Sequence, residues 1–282
     1  VAYDFLPTMQ QLLAQDPPPD HIVIETSGLA LPQPLVQAFN WPDIRASVRL
    51  DGVITLVDGP AIQAGGFVQD MAALDAQRQA DEELDHESPI EELFSDQLEA
   101  ANLILLSKSD LLDAEAIASV SQTISQSLSH KTPIVPVSAH TASLPALLGL
   151  GLEDEAFARS AHGHHHHDDH DHDHHHHHEH GHDAFESRIL ILPALEDGPA
   201  FVGKLSDVAE EFGVLRAKGR LAVTGKMLPL IVQAVGRRVD SYFGKAGPKD
   251  RNDGTSALVV IGPSGMDFEG IASALGGSWQ SA

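Results

Sequence analysis

The sequence predicts a mixed α/β protein: an N-terminal domain on a mostly parallel sheet, then a small α+β domain. Three observations predict it. Short apolar runs at residues 21–26, 53–58, 103–106 and 134–137 alternate with longer segments of helical character, as β-α units around a buried parallel sheet require. Residues 151–184 break that alternation with a stretch too poor in apolar side chains to bury a core. Beyond it the order changes to strand, helix, three strands and helix, a unit of ordinary domain size. At 282 residues with 42% hydrophobic content, the chain is long enough for two such cores.

The elements follow in order. Pro17-Pro18-Pro19-Asp20 makes a turn before the first strand, 21–26. Gly28 follows, and Pro32 opens a helix that runs to about Phe39. A second strand covers 53–58. Residues 67–83 read as polar helix, and Ser88-Pro89-Ile90-Glu91 carries the capping signature of another. The third strand, 103–106, ends in Ser107-Lys108-Ser109-Asp110; a helix covers 114–128; the fourth strand, 134–137, ends in Ser138-Ala139-His140. In the second domain, 185–195 reads as strand, 199–212 as helix, 214–223 and 227–235 as a strand pair, 256–262 as strand and 268–275 as helix. The expected domains are therefore 1–150 and 185–282, joined by a disordered linker at 151–184.

The formal net charge is −24, which repels nucleic acid and anionic lipid and favours cations as partners. There are no cysteines, so the given residues hold neither disulfides nor thiolate metal sites. No apolar run reaches the ~20 residues that span a bilayer. A cytoplasmic protein without a membrane partner is expected. The chain starts at Val1 without Met, and an N-terminal segment is expected to precede it.

The linker holds the densest chemistry. Fourteen of the 18 histidines fall in it: His162, His164, His165, His166, His167, His170, His172, His174, His175, His176, His177, His178, His180 and His182. Asp168, Asp169, Asp171, Asp173 and Glu179 are interleaved with them. Neutral imidazole ligates Zn, Cu, Ni and Co, and the carboxylates add charge and secondary ligation. A solvated spacer or a purification tag has the same composition, but a tag is terminal and uninterrupted, and this tract is neither. A flexible tract cannot impose one geometry, so it is expected to act as an ion reservoir of low selectivity.

Two loops at strand ends suggest a nucleotide site. Glu25 ends the first strand, at the carboxyl edge where open α/β sheets bind ligands, and can orient a water or reach Mg²⁺ through water. Gly28 would let backbone approach a γ-phosphate. After the third strand, Asp110 can accept hydrogen bonds from guanine N1–H and the exocyclic amine, which adenine cannot supply. Lys108 can lay its stem across the purine, and Ser138 and Ala139 fall where a third base-contacting loop is expected. The bland readings are a capped turn at Glu25 and a helix N-cap at Ser109 or Asp110. Gly198–Lys204 fits the G-x-x-x-x-G-K spacing of a phosphate loop, but Leu205 stands where Mg²⁺ needs Ser or Thr. It reads as a helix start with Asp197 near the cap. The given residues thus hold no phosphate loop and are not expected to hydrolyse nucleotide alone.

These residues resemble the CobW family of P-loop GTPase metallochaperones. The resemblance rests on Glu25-Thr26-Ser27-Gly28-Leu29-Ala30-Leu31-Pro32-Gln33-Pro34, on Asp51 to Asp58, on Asp96-Gln97-Leu98 ahead of Ser107–Asp110, on the histidine linker, and on Val232 to Asp240. It implies a partial P-loop GTPase domain followed by a CobW-type C-terminal domain. Glu25 and Gly28 fall on the family's Walker B and switch region, and Lys108 and Asp110 on its guanine-recognition motif. Ser107 stands where the family usually has Asn or Thr. The family's phosphate loop and Cys-x-Cys-Cys metal motif would lie before Val1. The last block most resembles the cobalamin-biosynthesis branch. That implies Mg²⁺ and GTP as ligands, Co²⁺ as cargo, and a cobalt-inserting enzyme of the corrin pathway as client. Zinc delivery by the same machinery is the alternative, as is a non-enzymatic metal-storage protein. His86 and Glu87 read as solvated surface.

Overall fold

A computed structural model describes residues 2–68, 72–74, 76, 90–138, 185–245 and 256–280. The chain divides into two compact units, Val1–Ser138 and Ala139–Ala282.

The first unit opens with α1 (Ala2–Leu13), which runs through Pro7, and continues with α2 (Pro32–Ala38) and α3 (Pro42–Arg45). Both short helices carry proline in the first turn, where its missing N–H costs nothing. Phe5 meets Phe39 edge-on at 5.3 Å and Trp41 at 6.4 Å between ring centroids, which joins the three helices. Then come β1 (Ile54–Asp58), α4 (Gly59–Gln63), α5 (Ile90–Glu99), β2 (Leu103–Ser107), a 3₁₀ turn at Ser109–Leu111, α6 (Ala114–Ser127) and β3 (Ile134–Pro136).

The sheet is parallel, in the order β1-β2-β3, with Asp58 beside Ser107 and Ile104 beside Ile134. Residues 103–106 of the central strand are all buried, as a parallel strand covered on both faces must be. Of these, Ile104 and Leu106 pack with Val57, with Leu98 of α5 and with Val120 and Ile124 of α6. Ala116, Val120 and Ile124 recur every four residues and form the buried face of α6, which Asp113 caps by accepting a 2.8 Å bond from Ala116 N.

The expected first strand does not form. Residues 21–26 have no ladder, and Val23 and Ile24 are 74% and 40% exposed. An apolar run supplies strand propensity, but without a neighbour its backbone N–H and C=O groups gain no partners. The polar helix expected at 67–83 falls mostly outside the described residues. Ser88, Pro89, His86, Glu87, Ala139 and the whole 151–184 segment, with its fourteen histidines, lie outside them entirely.

The second unit contains β4 (Phe185–Leu192), α7 (Gly198–Phe212), β5 (Arg216–Leu221), β6 (Leu230–Val235), β7 (Arg238–Phe243), β8 (Ser256–Pro263), α8 (Phe268–Leu275) and β9 (Ser278–Trp279). The six strands form one antiparallel sheet in the order β7-β6-β5-β8-β4-β9. Alternate strand residues, among them Leu190, Leu192, Val232, Leu258 and Val260, share a core with Leu205 and Val208 of α7 and Ile271 of α8. Two strands, β7 and β9, are additional to the sequence-predicted order. The rejected phosphate loop is indeed a helix start: α7 begins at Gly198, Asp197 Oδ1 accepts from Ala200 N at 3.0 Å, and Leu205 is buried in the core. No helix among the described residues is long and apolar enough to cross a membrane.

Candidate nucleotide site

The carboxyl ends of β1, β2 and β3 converge in the first unit. Parallel pairing sets Asp58 beside Ser107, and Ser107 Oγ donates a 2.8 Å hydrogen bond to Val57 O. Ser107 thus spends its hydroxyl on the neighbouring strand and supports the loop. The Ser109 N–H donates to Val137 O at 3.2 Å, and the Val137 N–H to Leu106 O at 2.8 Å. The Ser107–Asp110 loop is therefore stitched to the strand on each side of it.

Lys108 lies between those stitches with φ +56° and ψ +32°, the left-handed region. A non-glycine residue there costs about 1–2 kcal/mol, and persists because its surroundings over-determine it. Its ammonium lies 2.5 Å from Asp58 Oδ2, while Asp58 Oδ1 caps α4 through Ala61 N at 3.1 Å. Gly59 admits the close approach. A Cβ there would lie 2.9 Å from Leu112 Cδ1 and 3.1 Å from Ser107 O. Asp110 is exposed beyond the ion pair, in the first position after Ser109 in the 3₁₀ turn. Ser138, next after Val137, is buried.

The Glu25–Gly28 segment is held separately. Glu25 and Gly28 are exposed, and no atom lies within 4 Å of where a Cβ on Gly28 would be. Residues 27–30 form a turn in which Ala30 N donates to Ser27 O at 2.9 Å and Leu29 N to Ser27 Oγ at 3.3 Å. Leu29 is buried and anchors it. Gln97 of α5 donates through Nε2 to Gly28 O at 2.8 Å and to Ala30 O at 3.0 Å. Among the described residues, no hydrogen bond or ion pair joins Glu25 or Gly28 to the Ser107–Asp110 loop.

Glu99 has its carboxyl pKa lowered, first by the Ser129 hydroxyl (2.7 Å) and the Ser129 N–H (2.6 Å), then by the nearby His130. It ends α5 at the amino side of β2, away from the loop, and serves the scaffold. The described residues contain no group of three or more His, Cys, Asp or Glu able to hold a metal ion.

Residues 1–136 match the family described as CobW/HypB/UreG, nucleotide-binding domain, and residues 196–278 match the cobalamin synthesis protein cobW C-terminal domain. A protein named zinc chaperone CobW from Sinorhizobium sp. is 46% identical over 98% of this chain and 76% of its own length. The chain belongs to the CobW family of P-loop GTPases. Another protein named zinc chaperone CobW, from Pseudomonas aeruginosa, is 45% identical over 98% of this chain and 71% of its own. The zinc-regulated GTPase metalloprotein activator 1 of Schizosaccharomyces pombe is 34% identical over 41% of this chain and 23% of its own. Zn(II)-bound YjiA GTPase from E. coli aligns over 97% of this chain and 74% of its own at 20% identity, with a TM-score of 0.33.

Within this CobW-family chain, Asp58 stands in the sequence only as a strand end in one matching block, and Gln97 only within another. Their contacts were not legible, since each partner lies about 50 or more positions away in the chain. Asp58 did carry a local signal: an acidic residue ending a strand before Gly-Pro, where a helix N-cap is expected.

Proposed function

We propose that this protein is a GTP-dependent zinc chaperone in which hydrolysis is coupled to release of the ion. What carries the choice of metal is that both relatives matched along nearly the whole chain are named zinc chaperones. The cobalt cargo and the cobalt-inserting client expected from the sequence have no such support, so zinc replaces cobalt. The client becomes a protein that accepts zinc. A cytoplasmic setting, where GTP is available, suits this role.

The geometry supports the nucleotide half. Asp110 is exposed and accepts from guanine N1–H and the exocyclic amine. Lys108 lays its stem along the purine while Asp58 fixes its ammonium. Ser107 holds the loop, and Ser138, with Ala139 next in the sequence, is the further candidate for contact with the base. Glu25 orients the attacking water, and the open space at Gly28 leaves its backbone approachable by the γ-phosphate. A lone exposed carboxylate suits contact with Mg²⁺ through water and does not make a direct ligand set, so Glu25 fits that ion only in its outer shell. Mg²⁺ supplies charge neutralisation at the phosphates when bound. The fourteen histidines of 162–182 hold zinc in reserve on the same chain.

The test is a competition between Zn²⁺ and Co²⁺ for the full-length protein at buffered free-metal levels, with and without Mg·GTP. Zinc is expected to be retained in the GTP state and lost on hydrolysis. Cobalt retained over zinc, or a metal affinity indifferent to nucleotide, would refute the proposal.

A further inference from the structure

We infer that Gln97 is the positioning residue for the Glu25–Gly28 segment, holding it by a two-pronged amide latch. The inference rests on the GTPase reading and adds to it a residue that the reading did not use. Gln97 Nε2 points both of its hydrogens at carbonyls of one turn, Gly28 O at 2.8 Å and Ala30 O at 3.0 Å. Its own backbone carbonyl accepts from Thr55 Oγ1 of β1 at 2.9 Å. The next residue, Leu98, is 1% exposed and packs in the core beside Ile104 and Leu106 of β2. One residue thereby ties the turn to an edge strand and to the helix leading into β2, which carries Ser107–Asp110.

The chemistry of the latch is specific. Two carbonyls accept, so the side chain at 97 must donate twice, and a neutral amide does so without burying charge. Among the described residues, the segment it holds has few other contacts. Val23 and Ile24 are exposed, Gly28 has open space about it, and residues 21–26 have no ladder. Buried Leu29 and the amide of Gln97 together define where the turn sits. With the carbonyls of Gly28 and Ala30 fixed, the peptide planes on either side are restricted, and so is the direction in which Glu25 leaves the turn. Without the latch, ordering the segment must be done at each turnover. The loss then falls on kcat and leaves KM for GTP nearly unchanged, because the base is read by the separate Ser107–Asp110 loop.

The experiment uses the full-length protein with Gln97→Met, which keeps the volume and removes both donors, and Gln97→Lys, which restores a donor at similar reach. Hydrogen exchange of the 25–31 peptide is measured without nucleotide, and kcat and KM with GTP. Gln97→Met is expected to speed exchange and to lower kcat by about tenfold, with KM within about twofold; Gln97→Lys recovers part of both. Unchanged exchange in Gln97→Met overturns the latch. Faster exchange with an unchanged kcat also overturns it, since Gln97 would then fasten a loop that catalysis does not use. A wild-type protein that hydrolysed no GTP would instead sink the GTPase reading itself, before any variant is compared.

Discussion

Lys108 Nζ lies 2.5 Å from Asp58 Oδ2, so the loop after β2 is fastened by charge to the end of the neighbouring strand. The same aspartate caps α4 with its other oxygen, and the two jobs can be separated. Asn at 58 still caps a helix but carries no charge. Asp58→Asn is therefore expected to leave the melting temperature within a few degrees of wild type. A partly exposed pair of this kind contributes about 0.2–1 kcal/mol, so guanine-nucleotide affinity should fall by up to about fivefold, and less at high salt. A fluorescent-nucleotide titration at two salt concentrations reads both effects.

Asp110 offers a sharper test, because its proposed role depends on acceptor chemistry alone. Asp110→Asn replaces one acceptor with a donor. That mismatches guanine's exocyclic amine and matches the C2 carbonyl of xanthine. Hydrogen bonds to a charged group are worth about 1.5–3 kcal/mol, so GTP affinity should fall by about tenfold or more. XTP should then compete better than GTP. A competition in which GTP stays ahead of XTP would remove Asp110 from base recognition.

Gly59→Ala sets two effects against each other. Alanine is the better helix former by about 1 kcal/mol. Its Cβ, however, would stand 2.9 Å from Leu112 Cδ1 and 3.1 Å from Ser107 O. Leu112 can rotate away, but Ser107 O is backbone and belongs to the loop itself. Overpacking costs about 1–3 kcal/mol, so the net change should be destabilising, with weaker nucleotide binding as the loop is displaced. Thermal melts and the same titration decide it. A stabilised variant would show that the β1–α4 turn yields without moving the loop.

The strands that carry this candidate site were legible in the sequence, and the contacts that were not have a physical explanation. Leu103–Leu106 and Ile54–Val57 announced themselves because runs of mostly apolar residues suit a parallel strand. Residues 21–26 have the same apolar character and form no strand. What distinguishes them is the lack of a partner, which a run of residues cannot state. The reverse holds at β7, whose mixed residues Arg238-Val239-Asp240-Ser241-Tyr242-Phe243 form a strand without an apolar run. There a signal did exist: Val235 pairs with Arg238 across a two-residue turn whose first residue, Gly236, has φ +52°, and Gly in that place marks a hairpin. The Asp58–Lys108 and Gln97–Gly28 contacts join positions distant in the chain and become visible only once the strands are in register.

Acid should act on the scaffold through Glu99. Its folded pKa is lowered, mainly by the two Ser129 donors, with His130 adding to them. A carboxylate of this kind contributes stability that is complete above the unfolded glutamate pKa of about 4.3 and is lost as pH falls through the folded value. Glu99→Gln should therefore melt below wild type at pH 7, and the gap should close as pH falls below about 4. Melts of both proteins from pH 7 to 3 test the sign. A gap that widened below about pH 4 would mean that the carboxylate is not the favoured form.

Metal capacity should separate from metal selectivity on the same pH axis. Imidazole must be neutral to ligate, and histidine titrates near pH 6.5, so ions held by the 162–182 tract should be shed between about pH 7 and 5.5. If the tract is a reservoir, its deletion from the full-length protein lowers the number of zinc ions bound at pH 7.5. The one ion whose retention depends on Mg·GTP should survive that deletion, because a reservoir holds its ions irrespective of the nucleotide state. Zinc titration of the intact and deleted proteins, each with and without Mg·GTP, reads the two properties apart. Loss of the nucleotide-dependent ion together with the rest would make the histidines the delivery site itself and overturn their reading as a reservoir.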